Sequence, residues 1–119
     1  MTRSRKTARE AGTKFETSVV RWLQQHVDGG IERRTRNGKK DRGDISGWMF
    51  AGRRSVAECK NHSRLDLAGW TAEAEIERLN DDAQVGLVIH KKRGTADPGE
   101  QYVTLTLRDL ISFISKERP

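Results

Sequence analysis

The chain has 119 residues, of which 34% are hydrophobic and 34% charged, with a formal net charge of +6 and a single cysteine. That is enough for one domain with a modest core and too little for two; no apolar run approaches the roughly 20 residues of a membrane span, and Cys59 has no partner for an internal disulfide. The N-terminal residues lack a signal-peptide hydrophobic region, so a cytoplasmic protein is expected, and the basic surplus favours a polyanionic partner.

Residues 1–12 read as a flexible basic arm, because Arg3, Arg5, Lys6 and Arg9, with Lys14 just beyond, face only Glu10 and bring little to bury. Such an arm is either a solvated tail or a contact for phosphates or a partner subunit. Residues 13–119 then form one domain. Its first helix is expected to open at Thr13 as N-cap, with Glu16 three residues on completing a capping box. Phe15, Val19, Val20, Trp22, Leu23 and Val27 fall at helical spacing, and Asp28-Gly29-Gly30 stops the helix. Glu16 shares a stripe with Val20, Leu23 and Val27. An acid on that edge serves either the cap or a site beyond it.

A short strand from Ile31 runs into a basic loop holding Arg33, Arg34, Thr35, Arg36, Lys39, Lys40 and Arg42, turned at Asn37-Gly38. Asp44–Phe50 and Arg53–Lys60 then read as a hairpin joined near Ala51-Gly52. Alternation in the second strand puts Val56, Glu58 and Lys60 on one face and Ser55, Ala57 and Cys59 on the other. Cys59 is therefore expected to be a buried, inert thiol rather than a nucleophile. Asp44 heads one apolar run, and Glu58 and Lys60 sit at the tail of the next. Two carboxylates converging on a hard cation beside an ammonium are what phosphodiester hydrolysis requires, so this is a candidate divalent-metal site.

Asp66 is placed to cap a helix from Leu67 to Asp82 with Leu67, Trp70, Ala74 and Leu79 facing inward, and Glu73, Glu75 and Glu77 facing solvent. Val85–His90 is a continuous apolar run, as in a central strand covered on both faces, and Lys91, Lys92 and Arg93 follow it. Tyr102–Leu107 alternates like a half-exposed strand, and Arg108–Lys116 forms a closing helix. His26, His62 and His90 show no metal-ligand spacing. The order of elements predicts an α/β fold, a mixed central sheet of about five strands flanked by helices.

Glu16 in an early helix, Asp44 after a basic Gly-containing loop, and Glu58-Cys59-Lys60 at a strand end resemble the PD-(D/E)xK nuclease superfamily with its restriction-endonuclease-like fold. Within it the chain is most similar to the archaeal-type and phage Holliday junction resolvases, over Gly12 to Lys60, although Gly43 stands where the superfamily often has proline. The resemblance implies that Asp44, Glu58 and the backbone carbonyl of Cys59 ligate Mg²⁺, with Mn²⁺ able to substitute. Lys60 would orient or deprotonate the attacking water and stabilise the transition state. Glu16 would hold a metal-bound water or a second ion, and Thr35 would contact the scissile phosphate.

The function expected is a structure-selective DNA endonuclease acting on four-way junctions, prokaryotic or phage-encoded, held to DNA by Arg33, Thr35, the other basic-loop residues, Lys91, Lys92 and Arg93. Symmetric cutting predicts a C2 homodimer, with the tryptophans and Ile111, Phe113 and Ile114 divided between core and dimer surface. The alternatives are a restriction-like, repair or exonucleolytic nuclease of the same fold, and a non-catalytic nucleic-acid-binding protein whose acids are structural.

Overall fold

A computed structural model describes residues 4–34, 42–50 and 52–119, with Phe50 described by its backbone alone. It contains helices α1 (Arg5–His26), α2 (Leu67–Asn80) and α3 (Leu107–Ser115) and strands β1 (Glu32–Arg33), β2 (Ile45–Ser46), β3 (Met49–Phe50), β4 (Arg53–Lys60), β5 (Val85–His90) and β6 (Tyr102–Thr104). The fold is α/β: a five-strand mixed sheet, ordered β1-β2-β4-β5-β6, with three helices packed against it. The short β3 pairs with the start of β4.

The central β4–β5 pair is parallel, from Ser55 opposite Val85 to Lys60 opposite His90. A parallel pair needs a crossover, which α2 supplies. The neighbouring β2–β4 and β5–β6 pairs are antiparallel. Side-chain alternation along β4 and β5 divides the core. Ala57, Cys59, Val85, Leu87 and Ile89 pack with Phe15, Val19, Val20 and Leu23 of α1 and with Ile31, Ile45 and Trp48. On the opposite face Val88 packs with Trp70 and Ala74 of α2. All six residues of β5 are buried, as expected for a strand covered on both sides.

Helix α1 begins nine residues before the expected start. Ser4, not Thr13, is its N-cap, its hydroxyl accepting the Thr7 backbone N–H at 3.1 Å. Residues 5–12 are thus its first two turns rather than an arm. They carry no buried stripe; helix propagates outward from the packed Phe15–Leu23 segment through Arg, Lys, Ala and Glu, good helix formers that offset Thr7 and Gly12. Val27, placed on the apolar stripe by its spacing, is the helix C-cap and 48% exposed.

The run 44–50 is broken at Gly47, whose φ of +79° belongs to glycine and whose absent side chain lets the Gly30 carbonyl approach. Gly86 is required for a different reason: a Cβ there would lie 2.8 Å from the Ala74 carbonyl, so α2 lies directly on the β5 backbone. Asp66 caps α2 as expected, accepting from the Gly69 N–H at 3.1 Å. The inner stripe of α2 is instead Trp70, Ala74 and Glu77, while Leu67 and Leu79 are exposed.

The final strand is shorter than the alternating pattern suggests. Thr106 leaves the sheet to cap α3, accepting the Asp109 N–H, and the buried Asp109 carboxylate takes the Gly86 N–H at 3.1 Å and so ties α3 to β5. Phe113 packs on the core. Ile111 and Ile114 remain exposed, whereas Trp48 and Trp70 are buried and Trp22 is partly so, so none of the tryptophans is a bare surface residue. Among the described residues no helix is long and apolar enough to cross a membrane.

Candidate active site at the end of strand β4

The C-terminal end of β4 opens into a cavity of about 710 Å³. Glu58 and Lys60 reach it from β4, Glu16 from α1, and Asp44 from the bend before β2; Asn61, His62 and Ser63 form its far rim. The four residues proposed as catalytic from the sequence therefore meet at one place.

Asp44 is held there by its neighbour strand. Its backbone N–H donates to the Ala57 carbonyl at 2.9 Å, and its Oδ2 accepts the Cys59 N–H at 2.7 Å. Asp44 stands just before the Ile45–Ala57 pair, so its carboxylate enters the same cavity as Glu58 at the end of β4. Acids gathered in one cavity repel, so the arrangement is costly without a cation among them.

Lys60 supplies one. Its Nζ lies 2.8 Å from Glu73 of α2 and 3.7 Å from Glu58 Oε1, with its side chain 13% exposed. Burial opposes the ammonium, but the hydrogen bond to Glu73 and the charges of Glu58, Glu73 and Asp44 outweigh it, and the Lys60 pKa is raised. Lys60 is thus a firm cation at neutral pH, ill suited to accept a proton. Cys59 faces the α1 side of the core, as expected. Burial, then the negative charges of Asp44, Glu16, Glu58 and Glu77, push its thiol well above the usual range and leave it inert.

Glu16 is paired with Arg33 at 2.8 Å instead of forming a capping box at Thr13. Among the described residues, the three carboxylates whose oxygens lie within 4.8 Å of one another are Glu58, Glu73 and Glu77, and neither Asp44 nor Glu16 belongs to that group. Glu73 and Glu77 were expected in solvent. Glu77 is instead 2% exposed, and Glu73 reaches Lys60. The legible signal was their spacing: Trp70, Ala74 and Glu77 stand at i, i+4 and i+7, so one apolar stripe carries the acid inward. Glu75 pairs with Arg78 and Arg118. The donor atoms of the Glu58, Glu73 and Glu77 group are carboxylate oxygens, a type that suits a hard divalent cation such as Mg²⁺.

The basic residues divide into several roles. Thr35, Arg36, Lys39 and Lys40 lie outside the described residues. Arg42 is exposed. Arg34 is drawn inward, donating at 2.9 Å to both the Arg42 carbonyl and buried Asp81, which Arg54 also grips. Lys91 donates to the Lys92 and Thr95 carbonyls. Lys92 stands 5.8 Å above the Tyr102 ring. Arg93 donates to Asn61 Oδ1 and to the His62 carbonyl, bracing the cavity rim. Among the described residues no histidine joins a group of three potential metal ligands. His90 is buried, with Nε2 2.7 Å from Thr104 Oγ1 and its ring between Trp70 and Tyr102.

Comparison of the chain with protein-family models, with curated proteins and with solved structures finds no match.

Proposed function

We propose that this chain is a divalent-metal-dependent DNA endonuclease that hydrolyses phosphodiesters at branched DNA, with four-way junctions the favoured substrate. The observation that carries the reading is the convergence of Glu16, Asp44, Glu58 and Lys60 on one open cavity at the end of β4. Asp44 and Glu58 would hold the metal, Mg²⁺ or Mn²⁺, which when bound supplies Lewis-acid charge at the phosphate. Lys60 directs its ammonium at the non-bridging oxygens and stabilises charge as water adds to phosphorus and the bond to the leaving ester oxygen breaks. Glu16 orients water at the α1 side of the cavity. Arg33 and the basic residues near the loop ends neutralise neighbouring phosphates without reading bases, which suits recognition by shape. Two symmetric cuts need two such sites, so the active form is a C2 homodimer acting in a prokaryotic cytoplasm.

The test is a side-by-side digest of a synthetic four-way junction and a linear duplex with Mg²⁺. Junction cutting at least tenfold faster is expected; equal cutting of both would replace the resolvase reading with a general nuclease. A second reading, a non-catalytic DNA-binding protein, is favoured by the structural engagements of Asp44 with Cys59 and of Glu16 with Arg33. Junction binding with no metal-dependent nicking would establish it.

A further inference from the structure

We propose that Arg9 and Gly12 form a phosphodiester-binding subsite on α1, where the sugar–phosphate backbone of the substrate lies directly against the helix. The inference rests on the nuclease reading above and names a contact surface that reading leaves out. Arg9, Gly12 and Glu16 follow one another at i, i+3 and i+7, so they share one helix face, and all three line the cavity that holds Asp44, Glu58 and Lys60.

Gly12 lies well inside the 22-residue α1. Glycine is the poorest helix former after proline, so its presence there calls for a physical reason. Backbone geometry gives none, since the positive-φ glycines are Gly43, Gly47, Gly52 and Gly94. Packing gives none either: a Cβ at Gly12 would meet no atom within 4 Å. The open space is the cavity itself, and a helix without a side chain at that point admits a ligand to van der Waals contact with its backbone.

Charge states the chemistry of that ligand. Of the other cations lining the cavity, Arg33 is paired with Glu16 and Lys60 with Glu73. Arg9 has no carboxylate partner among the described residues and stands one turn before Gly12, exposed. A close-approach point flanked by an uncommitted guanidinium fits a phosphate chain, which Arg can take up bidentately.

The test uses the full chain and the variants G12A, G12L and R9A, with a fluorescently labelled four-way junction in Ca²⁺ and thermal melts of each protein. G12A is expected to raise the Tm by a few degrees while weakening junction affinity severalfold, because alanine favours the helix but intrudes on the ligand. G12L is expected to stay folded and lose affinity about tenfold or more, and R9A to lower the salt slope of log K by about one. Folded G12L and R9A proteins that bind the junction as the unaltered chain does, with unchanged salt slope, would overturn the subsite and leave the nuclease reading standing. If the unaltered chain binds no DNA, the reading and the subsite both fall.

Discussion

The Lys60 ammonium lies closer to Glu73, at 2.8 Å, than to Glu58, at 3.7 Å. A helix outside the strand pair thus holds the cation that the strand pair would otherwise bind. If Lys60 closed fully onto Glu58, the carboxylate proposed for the metal would be occupied by an internal ion pair. Glu73 draws the ammonium aside, so Glu58 and Lys60 can serve different partners. On the proposed nuclease reading, Glu73 would be a positioning residue for both.

Replacing Glu73 with alanine is expected to let Lys60 pair with Glu58. The Mg²⁺ concentration for half-maximal cleavage should then rise, and activity at fixed Mg²⁺ should fall, each by about tenfold, as is usual when a partner of a ligand is lost. A Mg²⁺ titration of cleavage by E73A checks this. An unchanged titration curve would make Glu73 a bystander.

Asp44→Asn, Glu58→Gln and Lys60→Ala are each expected to reduce cleavage by about a hundredfold or more while leaving junction binding in Ca²⁺ largely intact. The Asp44 change is especially informative, because asparagine keeps an acceptor for the Cys59 N–H while removing the charge. Digest rates and fluorescence anisotropy on the same preparations separate loss of chemistry from loss of binding.

Much of this site was legible because its residues sit where local rules are strong. The two-residue period of β4 put Glu58 and Lys60 on one face and Cys59 on the other, and the Asp66 cap set the start of α2 within the sequence. The rest depended on tertiary context. Residues 5–12 have no apolar period to announce a helix, and their helicity is inherited from the packed turns that follow. Glu77 reads as solvent-facing in the sequence, although its spacing from Trp70 and Ala74 carries it inward. Tyr102–Leu107 alternates as a strand throughout, yet the Thr106 cap ends the sheet early.

Arg34, one of the residues assigned to DNA from its place in a basic run, has a structural task that predicts a stability effect. Its guanidinium and that of Arg54 both bind Asp81, whose side chain is 2% exposed. Burial opposes the Asp81 charge, but the hydrogen bonds from Arg54 and Arg34 outweigh it and lower its pKa below 3.8. Asp81→Ala strands two guanidiniums, one of them half exposed, and is expected to cost about 2–3 kcal/mol. Urea unfolding measures it; a change below about 0.5 kcal/mol would place Asp81 among ordinary surface ion pairs.

His90 predicts the pH dependence of the fold. Its ring is 4% exposed between Trp70 and Tyr102, and Lys60 stands opposite it on β4. Burial lowers its pKa below the ordinary 6.5. The folded protein therefore holds the neutral imidazole at a pH where the unfolded chain already binds a proton. The His90 contribution is complete above about pH 6.5 and is lost as pH falls from there through the lowered folded pKa. Thermal melts from pH 7.5 to 5 should show a falling Tm over that window. In His90→Gln, which cannot take up the proton, the slope should flatten even if the variant is less stable throughout. An equal slope in both proteins would assign the pH dependence to another group.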